Sequence, residues 1–168
     1  MEHNEQTFSQ EKNASPAIVT DRELLRQKSR DVTAGDKPVE LADILFRMLK
    51  EYRAQGLSAV QVGRRLRMFV LLDEPGAPLC LVNPLITKSR GSIVAEEGCL
   101  SIPAPEGTKD PYLRLPVTRP KRITVEGLNQ YMRPVRYRFV GALARRACHE
   151  LDHLNGKLIT DYLEEEND

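Results

Sequence analysis

Two histidines near the end of the chain have the spacing of a metal site. They belong to the run His149-Glu150-Leu151-Asp152-His153, which falls in a segment with helical periodicity. At about 100° per residue, His149 and His153 lie one turn apart on one helix face, where both imidazoles can reach a single ion. Glu150 lies off that axis, where it can handle protons on metal-bound water without ligating. This pattern favours a metal site over two surface histidines or a helix pair packed in the core.

A catalytic metal site commonly has a third protein ligand and an open position for water. The segment after His153 contains no histidine, and its glutamates are bunched at the end, so we expect the third ligand upstream. Cys99 is the best candidate, because a thiol next to a divalent metal is readily deprotonated. Cys80 lies in an apolar run and Cys148 projects in a different helix direction, so both are interpreted as packed thiols.

Three segments of the chain resemble the signature motifs of the peptide deformylases. The second and third family motifs, E-G-C-L-S and H-E-x-D-H, are similar to residues 97–101 and 149–153. The first, G-Φ-G-Φ-A-A-P-Q, is partly matched by residues 54–61: Gly56, Leu57, Ala59 and Gln61 agree, whereas Ala54, Gln55, Ser58 and Val60 depart. The motifs occur in the family's order, and the resemblance extends over residues 18–163. The chain is therefore identified as a divergent member of this family.

The resemblance implies a metal-dependent hydrolase that removes the N-formyl group from N-formylmethionyl or other formylated peptides and releases formate. It implies a divalent ion held by Cys99, His149 and His153 with water as the fourth ligand. The family's usual ion is Fe²⁺, which Zn²⁺, Ni²⁺ or Co²⁺ often replaces in preparations. By the resemblance, the Gln61 side chain and the Leu100 backbone N–H bind the formyl oxygen, and Glu150 transfers the proton. The remaining motif positions are expected to bind the substrate: Gly56, Leu57, Glu97 and Gly98.

The helix residues that precede His149 bear on substrate choice. By helix angle, Ala142, Arg145 and Arg146 fall within about 60° of His149, on the side where the family binds the methionine side chain. Position 146 is small and apolar in relatives. Arg146 either extends to solvent or makes the side-chain pocket cationic, which favours an acidic or hydrophilic side chain over methionine.

Two other functions remain open beside the removal of formyl groups from formyl-Met peptides. One is a specialised deformylase or amidase that acts on a small formylated metabolite or on a non-methionine formyl-peptide. The other is a catalytically idle homologue that binds peptide ends, which is disfavoured because all five candidate residues of the reaction are present: Gln61, Cys99, His149, Glu150 and His153. A general endoprotease is less favoured, because it would have its third ligand downstream.

The elements that position these residues predict an α+β fold, with short, mostly antiparallel strands packed around the C-terminal metal-binding helix, as in the peptide deformylases. A helix is predicted from Asp36-Pro38 to Gln55-Gly56, with a buried face formed by Leu41, Ile44, Leu45, Met48, Leu49 and Tyr52. Further helices are predicted at residues 21–25 and 141–154. Strands are predicted at 68–72, at 79–86 with an edge or bulge at Pro84, and in a hairpin at 121–126 and 131–139. Five prolines predict an extended loop over 102–120, several residues longer than in common relatives.

Length and composition limit the organisation and the partners of the chain. A chain of 168 residues has the length of a single domain. We predict a disordered leader at 1–16 that contains His3, a catalytic domain at 17–163, and an acidic tail at 164–168. Net charge is +1, so we expect no nucleic-acid partner, and no apolar run is long enough for a membrane span. An acidic tail makes docking on the ribosome doubtful. Three cysteines and no secretory signal favour the cytoplasm.

Overall fold

The computed structural model describes residues 15–73 and 76–165. The predicted leader, including His3, therefore lies almost entirely outside the described residues, as does the end of the acidic tail. In chain order the helices are α1 (Arg22–Leu25), α2 (Pro38–Glu51), α3 (Ala142–Leu154) and α4 (Asp161–Glu165), with 3₁₀ turns at Ala34–Asp36 and Ala59–Val62. The strands are β1 (Gly56–Ser58), β2 (Met68–Leu72), β3 (Pro78–Arg90), β4 (Ile93–Pro103), β5 (Tyr112–Arg119), β6 (Arg122–Leu128) and β7 (Pro134–Val140).

The strands form two antiparallel sheets. The larger sheet has the order β1-β2-β3-β6-β7, and β4 pairs with β5 in a two-stranded sheet. All pairs of these named strands are antiparallel. The α+β class with strands around the C-terminal helix α3 is therefore confirmed.

Strand β2 lies at the centre of the core and is buried on both faces. Met68 and Val70 pack in the cluster that contains Leu45 of α2, whereas Phe69 and Leu71 pack in the cluster that contains Ala147 of α3. A strand with both faces covered has no solvent side, which explains why residues 68–72 are continuously apolar rather than alternating.

Helix α2 begins at Pro38, as the sequence predicts, but it ends at Glu51, several residues before the predicted stop. Leu41, Leu45, Met48 and Leu49 are buried as expected. The prediction was wrong for Tyr52, which is 38% exposed. Tyr52 is the C-cap residue, and at this end of α2 the core no longer covers the helix face that the periodicity predicts.

The proline-rich segment is not an extended loop, so that prediction was wrong. Strand β4 continues to Pro103, β5 occupies Tyr112–Arg119, and the loop between them is only residues 104–111. Proline lacks an N–H group, but a two-stranded sheet leaves each strand one unpaired side, where this loss costs no ladder bond. Pro116 accordingly lies within the strand register, opposite Glu96.

Other predicted boundaries shift by a few residues. Strand β3 runs on to Arg90 through the irregularity predicted at Pro84, where Asn83 has φ 50° and the register shifts. The hairpin turn falls at residues 129–133, because Gly127 pairs with Val135 inside the ladder. Helix α3 matches its prediction closely. The first two residues of the predicted acidic tail belong to α4.

Candidate metal centre

Three ligand-type side chains from two elements converge at one point. The sulfur of Cys99 in β4 and ring nitrogens of His149 and His153 in α3 all lie within 4.8 Å of one another. Cys99 Sγ is 3.3 Å from His153 Nε2, and the two imidazole rings are 5.0 Å apart in an edge-to-face arrangement. Cys99 and His153 are buried, and His149 is nearly so. No other such cluster occurs in the described part of the chain.

This donor set fits a divalent cation. One sulfur and two imidazole nitrogens suit the borderline-soft ions of the first transition row. A histidine ligand must present an unprotonated nitrogen, and burial together with the neighbouring His149 lowers the pKa of His153 well below its usual range. Burial also lowers the pKa of His149, but its contacts with Cys99 and Glu97 outweigh burial and hold that pKa high, so a cation would displace a proton there. The residue types and their placement are therefore those of a divalent-metal site.

The orientation of His149 is set by a buried carboxylate. Glu97 Oε2 lies 3.0 Å from His149 Nδ1, and because a carboxylate only accepts, Nδ1 donates and Nε2 is left for a metal. Hydrogen bonds from Arg119 and His149 overcome burial and lower the pKa of Glu97 to about 2. Arg119 donates to both Glu97 oxygens at 2.9 Å, and Arg145 donates to Oε1 at 2.7 Å. Two guanidinium groups thus hold the carboxylate that orients His149.

An interruption in the β4–β5 ladder shapes the region around Cys99. The register runs without a break from Ile93 to Gly98 and resumes only at Pro103. Leu100 lies in the interval between them, so its backbone N–H has no register partner on β5. Gly98 is covered by the Arg114 side chain, whose guanidinium lies 3.2–3.3 Å from where a Cβ would be. The irregular strand therefore presents backbone groups beside the thiol.

The Gln61 amide is held with its NH₂ group toward the cysteine. Its Oε1 accepts from the Ser58 backbone N–H and from the Ser58 hydroxyl, both at 3.0 Å. Its Nε2 donates to Ser101 Oγ at 3.1 Å and lies 3.7 Å from Cys99 Sγ. Ser58 fixes the oxygen end, so the amide nitrogen faces the candidate metal centre. The 3₁₀ turn at Ala59–Val62 supplies this geometry as a capping box.

Glu150 is a buried carboxyl at the wall of the same site. Burial raises its pKa to about 7, although His149 and the Ser58 hydroxyl act to lower it. Its Oε2 has no hydrogen-bond partner among the described residues. A Cβ on Gly56 would lie 2.5 Å from Oε1, so only glycine permits this approach of β1 to α3. A carboxyl with this pKa can both accept and return a proton near neutral pH.

A cavity of about 490 Å³ opens onto the centre. Its wall contains most of the predicted site residues: Gly56, Gln61, Glu97, Gly98, Cys99, Leu100, Arg145, Arg146, His149 and Glu150. Two further arginines and two tyrosines also line it: Arg53, Arg114, Tyr52 and Tyr112. Arg146 Nη1 also donates to the Leu72 carbonyl at 3.2 Å. Two residues of the predicted substrate site are not brought to the cavity. Leu57 is fully buried in the α2 core cluster, and Ala142 is exposed in the first turn of α3.

Sequence reasoning missed the two residues that hold the centre's polar groups. In the sequence, Ser58 is only a departure from the first motif. Arg119 lies in a segment whose proline density predicts a loop. In the strand pattern of β5, Arg119 shares the buried face of Leu115 and Val117. An arginine on a buried strand face signals a charged partner inside the fold.

Comparisons with known proteins agree on one family. The family model described as polypeptide deformylase matches residues 16–168. Peptide deformylase 1 of Clostridium acetobutylicum is 39% identical over 144 residues, which are 85% of this chain and 90% of that protein. The crystal structure of a peptide deformylase from Legionella pneumophila superimposes with a TM-score of 0.79 at 33% identity, covering 89% of this chain and 86% of that one. That of Ehrlichia chaffeensis peptide deformylase in complex with actinonin gives 0.79 at 30% identity, covering 92% and 91%. In the described residues, no helix is long and apolar enough to span a membrane.

Proposed function

The chain belongs to the polypeptide deformylase family, and we propose that its buried Cys99, His149 and His153 hold the divalent metal with which it removes N-formyl groups from nascent peptides. The observation that carries this assignment is the convergence of these three ligand atoms within 4.8 Å of one another, beside a cavity that Cys99 and His149 line. When bound, the ion supplies Lewis acidity and a water activated for attack at neutral pH.

The formyl oxygen is held by neutral, preorganised donors. Gln61 Nε2 faces the centre because Ser58 binds the other end of the amide. The Leu100 backbone N–H, in the interval where β4 has no partner, is the second donor. Fixed donors of this kind stabilise the negative charge that develops on the oxygen during attack, without reorganisation at the moment of reaction.

Glu150 carries the proton. Water loses a proton on attack, and the leaving amine must gain one when the C–N bond breaks. A carboxyl whose pKa burial raises to about 7 can accept the first and deliver it as the second. The products are formate and a free amino terminus, so atoms and charge balance. Because the substrates are newly made chains, we place the activity in the cytoplasm.

Glu150→Gln tests this assignment. The substitution keeps the shape of the side chain and removes its acid–base function, so we expect formate release from a formyl-Met peptide to fall at least 100-fold. Metal content, measured by elemental analysis, should stay at one ion per chain. Glu126→Gln, which makes the same chemical change at an exposed carboxylate outside the cavity lining, is the matched control. Turnover by Glu150→Gln within threefold of the parent would exclude Glu150 from proton transfer.

The identity of the ion is a separate part of the proposal. A site with one thiolate and two imidazoles accepts Fe²⁺, Zn²⁺, Ni²⁺ or Co²⁺, and we propose Fe²⁺ as the ion in the cell. Protein prepared without oxygen should contain mainly iron and lose formate-releasing activity in air faster than the same protein loaded with Ni²⁺. Equal activity loss of the two forms in air would argue against iron.

A second candidate function concerns substrate choice, and it depends on Arg146. Its position at the cavity wall favours formyl-peptides with an acidic or hydrophilic first residue, or a small formylated metabolite, over formyl-Met peptides. Arg146→Val should then raise the ratio of kcat/KM for formyl-Met over formyl-Glu peptides by about tenfold. An unchanged ratio would show that Arg146 serves the fold through its contact with Leu72 instead.

A further inference from the structure

One face of the larger sheet is only half covered. Residues of β2 and β3 near Val82 pack under α2, and Leu128, opposite Val82 on β6, joins that cluster. Beyond the irregularity at Asn83, no described element covers the same face of β3, β6 and β7: Leu85 is 65% exposed and Val140 is 58% exposed. The opposite face of these strands is the core face, where Ile123, Val125 and Phe139 pack against α3.

The uncovered part of this face is strongly basic. Antiparallel partners share a face, and Lys88 pairs with Thr124, Thr124 with Arg138, and Arg90 with Arg122. Arg136 and Glu126 lie on the same face, one pair further along. We call this surface the basic face; it consists of Lys88, Arg90, Arg122, Arg136 and Arg138, with Glu126 as its single acidic residue. A shallow groove of about 650 Å³ runs across it.

Most of these cations are unpaired. Glu126 forms an ion pair with Arg136 at 3.2 Å. Among the described residues, Lys88, Arg90, Arg122 and Arg138 form no salt bridge, and all four are exposed. Arg90 stands directly opposite Arg122, an arrangement in which like charges destabilise the strand pair. The fold therefore keeps a local repulsion that an anionic partner would relieve.

We propose that the basic face is a docking surface for the phosphate backbone of double-helical RNA. Charge complementarity carries the proposal: four cations without a salt bridge lie on one face of the sheet, and three of them are arginines, whose guanidinium groups match phosphate oxygens in pairs. Among the described residues, no aromatic side chain lies on this face, so it offers no platform for unstacked bases and fits a duplex backbone better than a single strand. The choice of RNA over DNA rests on the proposed function, since a nascent chain leaves the ribosome beside ribosomal RNA.

A lipid surface is the less favoured partner. Membrane-binding faces combine basic residues with aromatic or long apolar side chains that enter the headgroup region. The basic face has only Leu85 and Val140 as exposed apolar residues, at its two ends. The whole-chain charge of +1 gave no sign of the surface, because acidic residues elsewhere compensate for it.

The experiment measures binding of the full-length, metal-loaded protein to a fluorescein-labelled 20-base-pair RNA duplex by anisotropy. We expect binding that weakens steeply with salt, and at least tenfold weaker binding by the double variant Arg122→Glu/Arg138→Glu, with a shallower salt dependence. The matched control is Arg64→Glu/Arg65→Glu, which makes the same charge change at two exposed arginines before β2 and should weaken binding less than threefold. The single variants Arg122→Gln and Arg138→Gln repeat the test with a smaller change and should weaken binding two- to fourfold each.

Three outcomes would overturn the proposal: no binding of the parent protein to the duplex, equal losses in the two double variants, or binding to phosphatidylserine vesicles but not to RNA. Hydrolysis of a short formyl-peptide separates this result from the proposed function, because the basic face does not touch the cavity. All variants should release formate at the parental rate. If the basic-face variants lose RNA binding and keep full hydrolysis, both the docking surface and the proposed function are supported. If the parent protein fails to hydrolyse the formyl-peptide, the deformylase assignment alone is refuted.

Discussion

Ser58 lies between the two side chains on which the proposed reaction most depends. Its side chain is fully buried, its hydroxyl contacts the Gln61 amide oxygen, and it is close enough to Glu150 to lower that group's pKa. Ser58 does not line the cavity, so we expect it to position Gln61 and Glu150 rather than to touch the substrate.

Ser58→Ala should lower kcat for a formyl-peptide about two- to tenfold, the range of one lost hydrogen bond, and leave KM nearly unchanged. Gln61 keeps its bond from the residue 58 backbone N–H, so substrate binding survives while the orientation of the amide loosens. Steady-state kinetics measure the split. Ser29→Ala is the matched control, because Ser29 is also buried and its hydroxyl has no partner among the described residues. Equal kcat values in both variants and the parent would contradict the positioning role.

Residue-level prediction from the sequence succeeded where spacing along one helix was enough. The separation of His149 and His153 by four residues places them together in any helix, and the structure shows them 5.0 Å apart. The approach of Gly56 to Glu150 could not be predicted in this way. It depends on how β1 meets α3 across more than 90 residues of chain, and no local pattern contains that contact.

At the scale of elements, Arg119 links most of the structure around the site. Its guanidinium binds Glu97 of β4, Asp152 of α3 and the hydroxyl of Tyr162 in α4, and it is only 3% exposed. Burial opposes its charge, yet the paired carboxylates raise the pKa of Arg119 further above its usual range. One side chain thus ties β5 to three other elements.

Arg119→Met should lower the free energy of unfolding by about 3–5 kcal/mol, because it leaves buried carboxylates without their main partner. Urea denaturation of the metal-free protein measures this loss. Arg136→Met is the control, since its pair with Glu126 is about half exposed and such surface pairs contribute about 0–1 kcal/mol. If both variants lost a similar free energy of unfolding, the ion pairs of Arg119 would contribute no more than a surface pair. Arg145 would then be enough to neutralise Glu97.

The elements around Arg119 also show where sequence patterns mislead. Proline density over 102–120 predicted a loop, because proline usually interrupts sheets. In a two-stranded sheet, each strand has one side without ladder hydrogen bonds, and a proline that faces this side removes none of them. The alternation of buried and exposed residues in β5 therefore indicates a strand more reliably than the prolines indicate a loop. Strand β2 and helix α3 were predicted correctly, because a continuous apolar run and an amphipathic period survive any arrangement of neighbours.

At the scale of the molecule, a metal held by Cys99, His149 and His153 would join the two sheets. Cys99 belongs to the two-stranded sheet, whereas His149 and His153 belong to the helix that packs on the larger sheet. A cation that binds this arrangement and not the unfolded chain stabilises the fold by about 4 kcal/mol at a thousand times its dissociation constant. Metal binding at this site would therefore link the stability of the domain to its activity.

Removing the metal with a chelator should lower Tm by about 10 °C, given a shift of about 2–4 °C per kcal/mol for a chain of this size. Differential scanning calorimetry with and without chelator measures the shift, and returning the metal should restore it. Cys99→Ser should have a lower Tm than the metal-loaded parent, and chelator should barely change it, because the substitution weakens one of the three metal ligands. Cys148→Ser, which alters a buried thiol beside His149 that lies in the α3 core cluster, should keep the full chelator-dependent shift. If Cys99→Ser responded to chelator like the parent, the metal would not link β4 to α3, and the two sheets would depend on the Arg119 network alone.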